Sequence, residues 1–374
     1  FNDLLTGPPV RAVRGGADPI GILMYTSGTT SRPKGVAHTQ RRMARRVDLF
    51  IGEMGLTGSD STLVVADAGR PIVLLAQLLP MLRVGGRVNL LPKLDPALFW
   101  KEYASTRPTY LITPPGVALD LVDHPGAVGH DNSGLRFWVT GGDKALPALH
   151  TRMAEVVGRP LLEMCGMTET GFYSINPPDG PVKVGSIGLA MRGVAVRVIT
   201  EDGDDVPPGE VGHIVVRTPD LMIGYWNDTL QTHRVLRDGW LDTGDLGYYV
   251  NGDYLCVSGR KKDLIIRGGE NLSPKEIEDV LHRHPGIKEV AIVAMPHERL
   301  GEGVCACVIA QPGASVDVAL LAAWLEQAGL ARQKFPERVE LMDDLPRTAS
   351  GKVQKNALRD AIAAKLAAER NPIP

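Results

Sequence analysis

Short apolar runs alternate with amphipathic stretches through the first half of the chain. The runs at 20–25, 62–66, 87–91, 109–112, 135–140 and 160–164 predict strands, the first of them buried. Between them, 39–54, 72–83, 96–106, 114–122 and 147–157 predict helices. Pro96, Pro114 and Pro147 stand at helix starts, where a fixed φ suits the first turn and a missing N–H is not needed. Strand and helix in alternation predict an α/β layer on a largely parallel sheet.

After about residue 180 the rhythm changes. Short β-rich runs such as 194–199 and 213–217 are broken by Asp-Gly, Pro-Pro-Gly and Asn-Gly turns, which predicts a β-rich subdomain. Beyond Gly259 comes a third pattern: helix 274–282, strands 290–295 and 304–310, helix 317–327, a strand near Val339 and a last helix from Val353. The expected division is an α/β part at 1–180, a β-rich subdomain at 181–261 and a small α+β module at 262–374.

The first predicted strand runs into Tyr25-Thr26-Ser27-Gly28-Thr29-Thr30-Ser31-Arg32-Pro33-Lys34-Gly35-Val36. This composition can grip phosphate. Glycine lets the backbone approach an anion, hydroxyls and free N–H groups donate to its oxygens, and Lys34 adds a mobile positive charge. A Ser/Thr-rich loop also serves as plain linker. The common P-loop needs Gly-Lys-Ser/Thr, which occurs nowhere in the chain, and this argues against a P-loop kinase or GTPase.

Four further segments carry chemistry. Gly141-Gly142-Asp143 follows a strand, where the backbone can approach a flat ring. Gly166-Met167-Thr168-Glu169 offers a hydroxyl and a carboxylate, and a carboxylate beside a phosphate loop suits Mg²⁺, which takes few protein oxygens. Asp245, in Trp240-Leu241-Asp242-Thr243-Gly244-Asp245, can accept from both ribose hydroxyls or form a turn. Lys352, in Arg347-Thr348-Ala349-Ser350-Gly351-Lys352, is a lysine on a flexible loop or a solvated surface charge.

Composition narrows the classes. Net charge is −2, so no global basic field points to nucleic acid or an anionic membrane. The basic cluster Arg41, Arg42, Arg45 and Arg46 reads as a solvated helix face. Cys165, Cys256, Cys305 and Cys307 form no metal pattern; the last two share one face of an apolar strand, and a reducing, cytoplasmic setting is expected. The longest apolar stretch, 71–84, is too short to span a bilayer. The chain opens on Phe1, which leaves a lost targeting segment open.

Taken in order, these motifs resemble the adenylate-forming superfamily of acyl-CoA synthetases, peptide-synthetase adenylation domains and luciferases, and look closest to bacterial acyl-CoA synthetases. The phosphate loop matches at 25–36, Gly-x-Thr-Glu at 166–169, Thr-Gly-Asp at 243–245, the hinge at 259–278 and the lysine loop at 346–352. The resemblance implies a large α/β domain with a β-rich subdomain and a small mobile C-terminal domain. It implies ATP, Mg²⁺, a small-molecule carboxylic acid, and CoA or a carrier-protein pantetheine arm as acceptor. Thr26, Ser27, Gly28, Thr29, Thr30 and Lys34 would hold phosphates, Glu169 would hold the metal, and Thr168 and Glu169 would be catalytic together with Lys352. Gly142, Asp143, Cys165 and Gly166 would line the nucleotide, while Asp245 and Arg260 would grip the ribose. Lys352 would bridge carboxylate and α-phosphate; rotation about Lys262 would then bring Gly268 and Gly269 to the site.

Three departures stand out. Cys165 replaces the usual adenine-stacking aromatic, and Ser31 replaces a glycine of the phosphate loop. These suggest, as an alternative, thioesterification of a supplied acyl-adenylate with weak adenylation. Few residues precede the phosphate loop, so the resemblance implies an N-terminally truncated domain with exposed apolar surface. That absence also motivates a non-catalytic nucleotide binder as a rival. No acid stands at the spot near Arg70 that binds an amino-acid ammonium, although Asp67 is close, which favours an acid without an amino group. Val139, Met164, Phe172 and Cys165 fit either an acyl pocket or ordinary core. Sequence does not fix the acid or the oligomeric state.

Overall fold

The computed structural model describes residues 18–26, 33–65, 69–143, 145–348 and 351–370. A seven-stranded sheet runs in the order Arg87–Leu90, Ser61–Val64, Tyr110–Thr113, Phe137–Gly141, Leu161–Met167, Gly171–Ile175 and Leu189–Ala190. The first five strands are parallel and the last two antiparallel. Alternation splits each central strand between two cores. Tyr110, Ile112, Val139, Leu162 and Met164 face one, while Leu111, Trp138 and Leu161 face the other. Burial on both faces is why these strands read as unbroken apolar runs.

Two expectations need correction. The run at 20–25 is not a buried strand of this sheet. Strand Ile20–Thr26 is the edge of a separate three-stranded sheet, antiparallel to Lys34–Thr39, with Gly224–Tyr225 on the far side. Met24 is buried, but Ile20 is 45% and Tyr25 68% exposed, so an apolar run did not guarantee burial. The helix expected at 72–83 is interrupted: Pro71–Val73 passes through a π-helical turn, Leu74–Leu78, into Leu79–Val84. Pro80 has no N–H for the carbonyl of Ala76, and the Tyr110 hydroxyl donates to that carbonyl instead at 3.1 Å.

The β-rich part is a five-stranded sheet centred on Trp240–Val250. Its turns use the residues that tolerate left-handed backbone: Asp238 and Gly239 at φ 49° and 78°, Asn251 and Gly252 at 47° and 89°. In the C-terminal module, Ile287–His297 pairs antiparallel with Gly301–Ala310, and Arg338–Leu341 lies parallel beside the latter. One face packs on helices Pro274–Leu281 and Val318–Gln327, the other on Lys355–Arg370. Cys305 and Cys307 share that second face, fully buried as their spacing implies, and none of the four cysteines is in a disulfide. Among the described residues no helix is long and apolar enough to cross a membrane.

Candidate active site

Two close approaches of backbone shape the strand ends. A Cβ on Gly141 would lie 2.7 Å from the Met164 carbonyl oxygen, and one on Gly166 would lie 2.6 Å from that of Gly171. Gly142, at φ 87°, turns the chain away after its strand, which ends with Gly141 opposite Met164, and Asp143 is exposed.

The turn after Leu161–Met167 carries Thr168 and Glu169, and buried donors hold its backbone. The Thr168 carbonyl accepts from His38 Nε2 at 2.8 Å and Arg46 Nη1 at 3.3 Å. The Glu169 carbonyl accepts from Arg46 Nη2 at 3.0 Å and the Met222 N–H at 2.7 Å. The buried Glu169 side chain accepts from the Tyr225 hydroxyl through Oε1 at 2.8 Å. Lys34 Nζ lies 5.0 Å from the centre of the Tyr225 ring, so Lys34 and Glu169 meet around one tyrosine. Thr26 pairs in register with Lys34 and closes the base of the loop expected to hold phosphates. Ser27, Gly28, Thr29, Thr30 and Ser31 lie outside the described residues.

Glu169 suits Mg²⁺: it is a hard oxygen donor at the loop base. Among the described residues no three-residue His/Cys/Asp/Glu cage exists. Mg²⁺ does not need one where substrate phosphates complete its shell.

Asp245 is fixed from behind. The Thr243 hydroxyl donates to the Ile214 carbonyl at 2.7 Å and accepts from the Asp245 N–H at 3.1 Å. Arg260 faces Asp245 in strand register, with Nε 2.9 Å from Oδ1. Burial pushes the Asp245 carboxyl up, while Arg260 and then Lys352 oppose it. Cys165 Sγ lies 3.1 Å from the Tyr173 hydroxyl. Burial and the Asp245 charge push its thiol up to about 11, against Tyr173, Lys352 and Arg260. Asp245, Arg260, Cys165 and Lys352 thus share one electrostatic neighbourhood.

Lys352 arrives on a loop closed by Thr348, whose N–H donates to the Lys352 carbonyl at 2.8 Å. Arg347 anchors that loop on both carboxylate oxygens of Glu289. The exposed Lys262 lies in the turn Lys261–Asp263, its carbonyl accepting from Arg359 at 3.4 Å. Gly268 and Gly269, at φ 60° and 88°, form the exposed tip of the hairpin joining Ile265–Arg267 to Glu270–Leu272. They sit on the C-terminal sheet, apart from the strands that carry Asp245 and Glu169.

The basic cluster is not a solvated face. Arg46 is 5% exposed, and Arg42 donates to the carbonyls of Leu221 and Met222. Arg45 stays half-exposed and pairs with Asp220 at 3.2 Å. His38, Arg42, Arg46, Asp220 and Tyr225 are the site-supporting residues that sequence reading missed. One signal was available: Arg46 falls in the buried stripe Met43, Arg46, Val47, Phe50 and Met54 of helix Gln40–Met54. Val139 and Met164 are core residues, with Phe172 packed against that core. An open cleft of about 760 Å³, bordered by Arg42, Arg217, Leu221, Met222, Ile223 and Leu236, takes in no predicted site residue.

Comparison with known proteins places this geometry. The sequence model of the AMP-binding enzyme family matches residues 5–226, and that of the AMP-binding enzyme C-terminal domain matches 276–352. The chain is 37% identical over 351 residues to an indoleacetate–CoA ligase of Aromatoleum aromaticum, covering 93% of this chain and 68% of that protein. It is 36% identical over 346 residues to a feruloyl-CoA synthase of an Amycolatopsis species, covering 92% and 70%. The ATP-bound structure of MatB from Rhodopseudomonas palustris superposes with a TM-score of 0.89 at 34% identity, covering 94% of this chain and 70% of that one. The anthranilate CoA ligase AuaEII in complex with anthranoyl-AMP gives 0.85 at 26% identity, covering 96% and 70%.

Proposed function

The chain belongs to the family of AMP-binding enzymes, and from that premise we propose that it is an AMP-forming acyl-CoA ligase. A carboxylate oxygen attacks the α-phosphorus of ATP, the bond to the β-phosphate oxygen breaks, and pyrophosphate leaves an acyl-adenylate. The sulfur of CoA, its proton lost, then attacks the acyl carbon, and AMP departs. One observation carries this reading: Lys352 of the C-terminal module reaches the neighbourhood of Asp245 and Arg260. A ribose-gripping carboxylate and a mobile cation then flank the position of an α-phosphate.

In this reading Asp245 and Arg260 hold the ribose, and Gly142 and Asp143 border the base. Thr26, Lys34 and the loop between them hold the distal phosphates. Lys352 orients two anions that otherwise repel, which is a gain in proximity and in charge stabilisation. Glu169, with the phosphates, would hold Mg²⁺, which when bound would offset phosphate charge. Withdrawal of Lys352 by rotation about Lys262, bringing the Gly268-Gly269 turn forward, opens the site to the pantetheine thiol. The acid is one without an amino group next to its carboxylate; Asp67 lies outside the described residues.

A second reading has one observation in its favour. The Cys165 side chain engages Tyr173 and offers no ring to adenine, which favours weak adenylation and thioesterification of a supplied acyl-adenylate. Mass spectrometry of a carboxylic-acid panel with ATP and CoA, with pyrophosphate release followed in parallel, separates the two. Acyl-CoA formed with robust pyrophosphate release supports the full ligase. Acyl-CoA formed only from supplied acyl-adenylate supports the second reading. ATP binding with no thioester from either source overturns both.

A further inference from the structure

The buried guanidinium of Arg46 has no role in the chemistry described above, yet its donors converge on the backbone that carries Glu169. Nε donates to the Asp220 carbonyl at 3.0 Å, and Nη2 to the same oxygen at 2.6 Å and to the Glu169 carbonyl at 3.0 Å. Nη1 faces the Thr168 carbonyl and His38 Nε2, each at 3.3 Å. A planar fork with donors on three nitrogens is needed to serve these carbonyls at once; an ammonium on a single stem cannot reproduce it. The turn is shaped to receive the fork. Gly171 adopts φ 73°, and a Cβ there would lie 3.0 Å from Arg46 Nε. Arg42, one helical turn earlier, holds the carbonyls of Leu221 and Met222, and the Met222 N–H returns to the Glu169 carbonyl.

The same strap then reaches the carboxylate itself. Strand Gly224–Tyr225 begins two residues after Met222, and the Tyr225 hydroxyl donates to Glu169 Oε1 at 2.8 Å while its ring carries Lys34. Tyr225 is locked in turn, pairing in register with Val36 on the strand that begins at Lys34. Backbone and side chain of Glu169 are thus held by two separate residues from two different elements.

We propose that Arg46 and Tyr225 are positioning residues that set Glu169 for the adenylating half-reaction, Arg46 through the Thr168 and Glu169 carbonyls and Tyr225 through the carboxylate. This rests on the reading of Glu169 as the metal-holding carboxylate. Only the first half-reaction handles the ATP β- and γ-phosphates, so the two half-reactions separate this role from a general one. A residue needed merely for folding lowers both together. One that aims the metal-holding carboxylate lowers the first alone.

The test uses the full chain with Tyr225→Phe, Arg46→Lys, Arg46→Met and Glu169→Gln. Mn²⁺ affinity in the presence of ATP is read by electron paramagnetic resonance. Pyrophosphate release against Mg²⁺ concentration, and CoA thioesterification of a supplied acyl-adenylate, are read alongside. Tyr225→Phe, which deletes one hydroxyl, is expected to weaken Mn²⁺ binding and raise the half-maximal Mg²⁺ concentration about tenfold, the loss of one charge-assisted bond. Arg46→Lys is expected to do the same without rescue, and thioesterification should stay within about twofold of the parent, on the half-reaction argument above. If Arg46→Met fails to fold, Arg46→Lys and Tyr225→Phe still decide. Unchanged Mn²⁺ affinity in Tyr225→Phe and Arg46→Lys, with affinity lost in Glu169→Gln, overturns the positioning role alone. Equal loss in both half-reactions also overturns it. Unchanged affinity in Glu169→Gln overturns the metal assignment beneath it.

Discussion

His38 shows how a buried side chain beside the site couples folding to pH. It is fully buried, its Nε2 meets the Thr168 carbonyl, and Arg46 and Arg42 crowd it with positive charge. Burial first, then Arg46, lowers its pKa from 6.5 to about 3. The folded imidazole is therefore neutral where the unfolded one takes a proton. Its stabilising contribution is complete above pH 6.5 and is lost as pH falls from there toward 3. The expected slope approaches ~1.4 kcal/mol per pH unit. Urea unfolding at neutral and mildly acidic pH should show this loss in the parent and a flatter response in His38→Gln; equal slopes would refute the assignment. Much of the site was legible residue by residue. Asp245, Arg260 and Lys352 were each placed by motif, and the structure brings them together. Arg46 was not, because four arginines among six residues read as solvated charge unless each is tested against the apolar stripe. Tyr225 was hidden for another reason: its partners Glu169 and Lys34 are far from it in sequence, and only tertiary pairing joins them.

At the scale of elements, the parallel strands were readable because both their faces are buried, which leaves continuous apolar runs. The sheet that strand Ile20–Thr26 joins was not readable, since its apolar content matches that of the central strands while its position is an edge. The interrupted helix was foreshadowed by Pro80, but the π-helical turn that accommodates it depends on Tyr110 from a neighbouring strand. The junction of Leu161–Met167 with Gly171–Ile175 is the element on which Glu169 hangs, and it contains an irregular step between Cys165 and Gly166. A Cβ on Gly166 would lie 2.6 Å from the Gly171 carbonyl oxygen and 2.9 Å from the Phe172 Cα. Both are backbone atoms, so one strand must move. Gly166→Ala is therefore expected to destabilise the protein by about 1–3 kcal/mol and lower its melting temperature by several degrees. Calorimetry checks this; an unchanged melting temperature would show that the junction yields without cost.

For the whole molecule, the informative contacts are those that span Lys262. The Ser273 hydroxyl of the C-terminal module donates to the Ser258 carbonyl of the preceding sheet at 2.6 Å. A Cβ on Gly259 would lie 3.0 Å from that hydroxyl oxygen, so glycine there lets the module seat closely. On the module side, Glu302 accepts from Arg359 at 2.8 Å and from the Ile266 N–H at 2.6 Å, and Arg359 reaches the Lys262 carbonyl. Lys262, the proposed hinge, is thus tied to the module, while the Ser273 bond crosses from module to body in the orientation that carries Lys352 to Asp245. In the proposed cycle that bond must break before Gly268 and Gly269 can come forward. Deleting it in Ser273→Ala should cost the present orientation about 1 kcal/mol, the net worth of one hydrogen bond. The ratio of the two orientations should then move about fivefold toward the thioesterifying one. Distances between spin labels on body and module, measured by double electron–electron resonance, report that ratio directly. A shift in Ser273→Ala of the stated sign supports Ser273 as a contact that sets the balance. An unchanged distance distribution would place the balance elsewhere, in the attraction between Lys352 and Asp245 itself.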